Sequence, residues 1–458
     1  LVRNLEPGVF GTLSLGVTII TVIAGFTAIG MGQAVARFIS ASDREHSNQY
    51  IVIAISAVLI SGAIFSSVVY FTRFQIESFF STDGIASLLG IFVILIVIRP
   101  LAGVLVGIVR GFEKTRIKVV SNDIVPFFVS LSVLAVLINQ GAVLLGGIMF
   151  YVLRPGARIV LLSTSLFRLK DWEFNFEIPE KARVTEMFHF SWPLAFQTIV
   201  AVFMGNTDIL MLGWLSTSDN VGFYRSVQPV VQILLFLLTS ITFIYLPIAT
   251  RYFTDHEMGK LDSLYKTATR WIAQLTFPLF LFYMLFGREF VRVLFTQEYV
   301  VAWIALAILS VGMYSRVLVG PNGMTIKAID RTREDLISSI SAVIANVLLN
   351  IVLIPMYGIA GAAIATTLSF FVYNAFELWI IYRYTGVSPF HLDLFKPLLP
   401  TAVISILLKN VFNPQISTFL GLFLAGIVIS SIHLLSISLT TGLTEDDRLL
   451  IDILTSDG

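Results

Sequence analysis

Thirteen stretches of about twenty apolar residues follow one another along this 458-residue chain, joined by short polar connections. They lie at about 11–36, 48–71, 85–109, 119–138, 142–166, 190–214, 221–249, 268–287, 300–326, 336–355, 358–382, 394–411 and 416–440. A helix rises about 1.5 Å per residue, so about 20 residues cross the roughly 30 Å of bilayer hydrocarbon. An α-helix is the one structure that satisfies its backbone hydrogen bonds within a single such segment. The pattern therefore predicts an all-α, polytopic membrane protein. Composition agrees: 13% of residues are charged, against about a quarter in soluble domains. The longest polar connection, 167–189, leaves no room for an inserted soluble domain.

Catalytic chemistry is hard to find. The chain has no cysteine, which excludes disulfides and thiolate sites. Its five histidines, at 46, 189, 256, 391 and 433, have no metal-ligand spacing. Phosphate-binding glycine loops, zinc motifs and nucleophile elbows are absent from the sequence. No catalytic residue, metal or cofactor is expected, and the chain is not expected to be an enzyme. Twenty of the thirty lysines and arginines fall in alternate loops, which places those loops and the C-terminus in the cytoplasm. Topology alone thus accounts for the basic loops, with no nucleic acid implied.

Two of those loops match. "RGFEKTR" (110–116) recurs as "KAIDRTR" (327–333), and at the same offset Arg99 meets Arg316 and Gly103 meets Gly320. Earlier, "ARF" (36–38) corresponds to "TRY" (250–252). An even number of spans between copies means parallel repeats, related by an axis along the membrane normal. The expected organisation is a first lobe over 1–166, a cytoplasmic linker over 167–189, and a second lobe over 190–384. Two additional helices over 385–440 and a cytoplasmic tail over 441–458 follow. The counterpart of 190–214 would precede residue 1, so two six-helix lobes imply a first helix missing from this sequence.

The remaining basic residues lie inside spans. Arg99 and Arg316 sit roughly 16 Å from the cytoplasmic loop, beyond a snorkelling arginine's reach. A lone charge at mid-bilayer costs at least ~2.5–3.5 kcal/mol, so each is expected to face a cavity or a structural partner. "RPGAR" (154–158) interrupts its span and sets Arg154 and Arg158 on one face. Guanidinium matches phosphate oxygens in a bidentate fork, which points to an anionic substrate. The other reading is two shorter segments with both arginines near an interface. Asp208 and Arg225 lie near the outer ends of their spans; they are candidates to pair, Asp208 alone for proton or sodium coupling or for a plain interhelical hydrogen bond. "GPNG" makes Gly320, Pro321 and Gly323 candidates for a gate or a packing kink. Gly103, Gly107 and Gly111 suggest close helix packing, Asn346 and Asn350 interhelical hydrogen bonds. Asp123 and Glu377 are expected to reach the inner interface.

"LEPGVFGTLSL", "GMGQAVARFIS", "DNVGFYRSVQPV", "GPNGMTIKAIDRTR" and "ANVLLNIVLIPMYGIAGAAIATTLS" together resemble one family. It is the polysaccharide-biosynthesis branch of the multidrug/oligosaccharidyl-lipid/polysaccharide exporter superfamily, whose Wzx-type members flip lipid-linked oligosaccharides. The resemblance implies twelve core helices in two lobes around a central cavity, with two further helices. It also implies a polyprenyl- or dolichyl-phosphate-linked oligosaccharide as substrate, moved from inner to outer leaflet of the plasma membrane. Membrane lipids would surround the chain, and glycan-assembly proteins are candidate partners. Cavity arginines that would meet the lipid phosphate are Arg99, Arg154, Arg158, Arg225 and Arg316. The rivals are a cation-coupled, multidrug-type antiporter and a membrane glycosyltransferase or polymerase. The second usually needs a sizeable external loop, which this chain lacks.

Overall fold

A computed structural model describes residues 1–41, 44–168, 177–412 and 418–442. The expected linker segment 169–176, the tail from 443 onward and the start of the span 416–440 lie outside the described residues.

The described residues are helical throughout, as the apolar spacing requires. In chain order the helices begin with α1 (Pro7–Ala28), α2 (Met31–Ala41), α3 (Arg44–Phe80), α4 (Ile85–Phe92), α5 (Leu95–Gly111) and α6 (Thr115–Lys118). A π turn, Val119–Ile124, leads into α7 (Val125–Asn139), followed by α8 (Val143–Phe167), α9 (Lys181–Leu215) and α10 (Ser218–Gln232). Next come α11 (Phe236–Thr254), α12 (Met258–Leu294), α13 (Trp303–Leu318), α14 (Asn322–Ala328) and α15 (Thr332–Thr385). The last are α16 (Leu392–Phe395), α17 (Leu398–Phe412) and α18 (Phe419–Thr440).

Among the described residues, ten helical stretches are long and apolar enough to cross a membrane. Each expected span has a helix, and the lower count has local causes. The 54 residues of α15 carry two expected spans, divided where Gly358 leaves helical geometry at φ 55°, ψ −127°. The uncharged part of α12 runs only from Trp271 to Gly287, and α17 is 15 residues long.

Packing divides the chain into two compact units, Leu1–Gly222 and Phe223–Gly458. The expected boundary segment 167–189 runs into the start of α9, whereas the packing division follows that helix, because α9 lies against α1, α2 and α3. In the first unit, Met31, Val35, Ile51, Val104, Ile108 and Leu162 bring α2, α3, α5 and α8 into one buried core. Helices α2 and α5 meet through glycine. A Cβ on Gly107 would fall onto the Gly32 carbonyl oxygen, and one on Gly32 would lie 2.8 Å from the Gly103 carbonyl. In the second unit, Tyr245, Leu261, Tyr265, Ile326 and Ile380 join α11, α12, α14 and α15. There Asn350 donates to Asn346 at 2.9 Å and Asn346 to the Thr366 hydroxyl at 3.2 Å. Those bonds use both amide nitrogens inside an apolar bundle, while the Asn350 side-chain oxygen has no hydrogen-bond partner among the described residues.

The matched heptapeptides form the same turn. Lys114 N–H bonds to the Val109 carbonyl (3.1 Å), and Arg331 N–H to that of Ile326 (3.0 Å). Phe112 donates to Ile108 and Ile329 to Thr325, each at 3.1 Å. Both turns close helices in Schellman fashion, which needs a left-handed residue at the end. That residue is Glu113 (φ 58°) in one and Asp330 (φ 57°) in the other. The left-handed region costs a non-glycine residue about 1–2 kcal/mol. Replacing Glu113 or Asp330 by glycine is therefore expected to stabilise the chain by up to about 1 kcal/mol after glycine's own entropy cost, read as a higher thermal midpoint in detergent. A lower midpoint in both variants would show that the carboxylates contribute more than the turn geometry costs.

Candidate functional site: an arginine-lined cavity

Helix α1 stops at Ala28 because Ile29 (φ 45°) and Gly30 (φ 65°) both turn left-handed, and α2 restarts at Met31. Gly30 cannot be larger: a Cβ there would sit 2.6 Å from the Ser191 carbonyl oxygen. The break leaves the first turn of α2 on a cavity of about 450 Å³ within the first unit, lined there by Gly30, Gly32 and Gln33. The first amides of a helix have no intrahelical acceptor and carry the positive end of its dipole, so an anion is favoured at this wall.

Helix α5 forms a second wall. Arg99, Gly103 and Arg110 recur along one helical face, and all three line the cavity. Arg99 Nη1 donates to the Thr21 hydroxyl, whose own hydrogen goes to the Val17 carbonyl at 2.6 Å. Pro100, next to Arg99, has no amide for the Ile96 carbonyl four residues back. The buried Thr27 hydroxyl shares its hydrogen between that carbonyl, at 3.1 Å, and the Ala24 carbonyl, at 2.9 Å.

A third wall comes from the π turn and α8. Arg158 Nε donates to the Asn122 carbonyl at 3.0 Å, and both residues line the cavity. The neighbouring Asp123 takes a hydrogen bond from the Asn122 side-chain amide at 2.5 Å and faces Lys118 at 3.8 Å. Among the described residues no carboxylate belongs to the cavity lining, which carries the guanidinium groups of Arg99, Arg110 and Arg158. Arg110 is exposed and Arg99 and Arg158 are half-buried, so the three charges act on a bound anion across a partly solvated recess. The arrangement can hold a polyanion with oxygens spread over several ångströms.

The candidates from sequence thus separate. Arg99 and Arg158 share the cavity. Arg154 lies outside its lining, with its guanidinium 5.5 Å from the Phe127 ring centre. Helix α8 is continuous through Pro155 and Gly156, so the expected interruption at "RPGAR" does not occur. Arg225 and Arg316 belong to the second unit: Arg225 donates to Gln228 at 2.7 Å, and Arg316 sits 5.0 Å from the Phe370 ring centre. Asp208 is buried on α9. The break at Gly320 (φ 67°) and Pro321 is real, ending α13 at Leu318 and starting α14 at Asn322. It is tied down by the Tyr265 hydroxyl, which donates to the freed Val319 carbonyl at 2.8 Å. Gly323 follows in the first turn of α14, where an added Cβ would be 3.7 Å from Glu377.

Two cavity residues escaped the sequence reading. Arg110 was absorbed into the basic loop, although its position eleven residues after Arg99 puts both on one helix face. Gln33 carried no signal beyond the glycines around it. Glu377 requires a correction: it is fully buried rather than reaching the interface, and neither of its oxygens has a hydrogen-bond partner among the described residues. A long helix end placed it near water in sequence terms, but α13, α14 and the start of α15 close over it. Glu377→Gln removes the ionisable group at constant shape and is expected to stabilise the chain by about 1 kcal/mol or more, read as a higher thermal midpoint. A clear fall instead would mean that an ionised Glu377 is balanced by Arg316.

Comparison with known proteins places this fold. The chain is 22% identical to the "Probable low-salt glycan biosynthesis flippase Agl15" of Haloferax volcanii over 266 residues, 56% of each chain. It is 24% identical to the "Uncharacterized membrane protein MJ1068" of Methanocaldococcus jannaschii over 246 residues, 52% of this chain and 47% of the other. The chain thus matches about half the length of these relatives. Among solved structures, the inward closed conformation of the lipid II flippase MurJ superposes with a TM-score of 0.73 at 14% identity, covering 97% of both chains. An inward-facing multidrug resistance MATE family transporter of the MOP superfamily gives 0.72 at 15% identity, covering 84% of this chain and 92% of the other. These likenesses establish a shared polytopic fold. The MatE family matches residues 193–356. The family described as "Polysaccharide biosynthesis protein" matches residues 1–253, more than half of the chain, and the chain is a multi-pass membrane protein of that family.

Proposed function

We propose that the protein is a flippase for a lipid-linked oligosaccharide, moving a polyprenyl- or dolichyl-phosphate-linked glycan from the inner to the outer leaflet by alternating access. In this reading it is a transporter and not an enzyme, and its C-terminus is cytoplasmic. The observation that carries the reading is the cavity of the first unit, where Arg99, Arg110 and Arg158 meet the start of α2 with no carboxylate among the described lining residues. A phosphate or diphosphate would sit among them with bidentate hydrogen bonds, while the lipid tail stays in the bilayer. The kinship with a named glycan biosynthesis flippase supports the same reading. A cationic cargo, as a multidrug-type antiporter would carry, is disfavoured by like charge in this cavity.

The test is sidedness. In cells lacking the gene, lipid-linked glycan would be labelled with a membrane-impermeant reagent on intact spheroplasts, with and without the full-length protein restored. Label that appears only on restoration is the expected result. Unchanged sidedness would overturn the reading and favour small-molecule export.

A further inference from the structure

Arg99 is held from α1 by a group that carries no charge. Its Nη1 donates to the Thr21 hydroxyl, and both residues line the cavity. That hydroxyl has one hydrogen, and the Val17 carbonyl takes it at 2.6 Å. Toward α5 the Thr21 oxygen can therefore only accept. Basic residues elsewhere in the chain meet carboxylates: Arg183 meets Glu180 at 3.5 Å, Lys327 meets Asp335 at 3.9 Å, and Arg331 meets Glu334 at 3.6 Å. A carboxylate at position 21 would hold Arg99 as well, but its negative charge would repel an anion in the cavity. Bonding at Nη1 also keeps the Nε–Nη2 edge, the flat two-pronged side that fits a phosphate, out of this contact.

We infer that Thr21 is a positioning residue: its hydroxyl, an acceptor without charge, fixes the Arg99 guanidinium for an anion in the cavity and adds no negative charge there. The inference rests on the proposed reading of the cavity as a phosphate site. It goes further by giving α1 a part in holding the anion, through a residue that is itself neutral. An arginine side chain has several rotatable bonds to order when an anion arrives, and a tether removes part of that cost beforehand. The tether also limits what position 21 can be. Valine matches threonine in shape but offers no acceptor, whereas serine keeps one.

The experiment uses the full chain in detergent and inorganic pyrophosphate as probe. Dissociation constants would be measured for the parent, Thr21→Val, Thr21→Ser, Arg99→Ala, and Thr21→Val combined with Arg99→Ala. Thr21→Val is expected to weaken binding about three- to tenfold in the parent background and by less than about 1.5-fold beside Arg99→Ala. Thr21→Ser, which keeps the acceptor, is expected to recover most of that loss. Equal weakening in both backgrounds, or a loss that serine does not recover, would mean that Thr21 only packs, and would overturn the proposal. If Arg99→Ala leaves binding unchanged, the reading of the cavity itself fails. If Arg99→Ala weakens binding and Thr21→Val does not, only the positioning role fails. Should Thr21→Val not fold, nitrogen NMR of the arginine side chains decides the matter on the parent protein without pyrophosphate. The Arg99 guanidinium signal, assigned by its loss in Arg99→Lys, is expected to show slow rotation about the Cζ–Nη1 bond. Rotation as fast as that of the loop arginines would overturn the tether.

Discussion

Arg99→Ala and Arg158→Ala are each expected to weaken pyrophosphate binding to the purified chain by roughly tenfold to a hundredfold. A charge-assisted hydrogen bond to a buried anion is worth about 1.5–3 kcal/mol, and each arginine offers such bonds from a different wall of the cavity. Because Arg99 stands on α5 and Arg158 on α8, the double variant is expected to lose close to the product of the two factors. Glycan flipping in cells should fall with binding while the protein level holds. Arg154→Ala is the contrast. Its guanidinium rests against Phe127 outside the cavity lining, so its loss is expected to leave pyrophosphate affinity within about twofold. Equal losses at 99, 154 and 158 would indicate a general charge effect and not a site.

The second large effect is steric. Gly107→Ala places a methyl group on the Gly32 carbonyl oxygen and within 2.8 Å of Val35. The obstacle is backbone, so α2 has to move away from α5 or the variant does not fold. Overpacking of this kind costs about 1–3 kcal/mol, and the thermal midpoint in detergent is expected to drop by several degrees. Gly103→Ala, one turn earlier on the same helix, meets nothing within 4 Å and is expected to hold the midpoint or raise it slightly. Were the two variants equally stable, the close contact between α2 and α5 would not exist in solution.

Legibility in the sequence differed by feature, for physical reasons. Hydrophobic length found the helices, ten stretches of them membrane-capable among the described residues, since a membrane helix must be apolar along its run. Proline and glycine were less dependable signals. "GPNG" breaks its helix as expected, because Gly320 and Pro321 together stop the hydrogen-bond ladder and Tyr265 caps the freed carbonyl. "RPGAR" does not break its helix, even though Pro155 removes one amide from α8. The break that shapes the cavity, at Ile29 and Gly30, lay unseen inside a continuous apolar run. Its left-handed pair is fixed by the close approach of Ser191, a contact that local sequence cannot report. Arg99 and Arg158 were found because burial makes an intramembrane charge conspicuous. Arg110 was missed because basic residues in inner loops are the rule, and only helical phase distinguishes it.

The glycine seam between α2 and α5 has one further consequence. At Gly32, Gly103 and Gly107 backbone approaches backbone directly, and Val35 and Ile39 close the rest of the contact. The two helices therefore form a single stiff strut, carrying Arg99, Arg110 and the amides at the start of α2. In the proposed transport cycle the spacing among these groups is expected to stay constant, like marks on a ruler. A pair of distance probes along α5 should read the same in every state trapped, and any variation in grip on the anion has to come from the wall that carries Arg158.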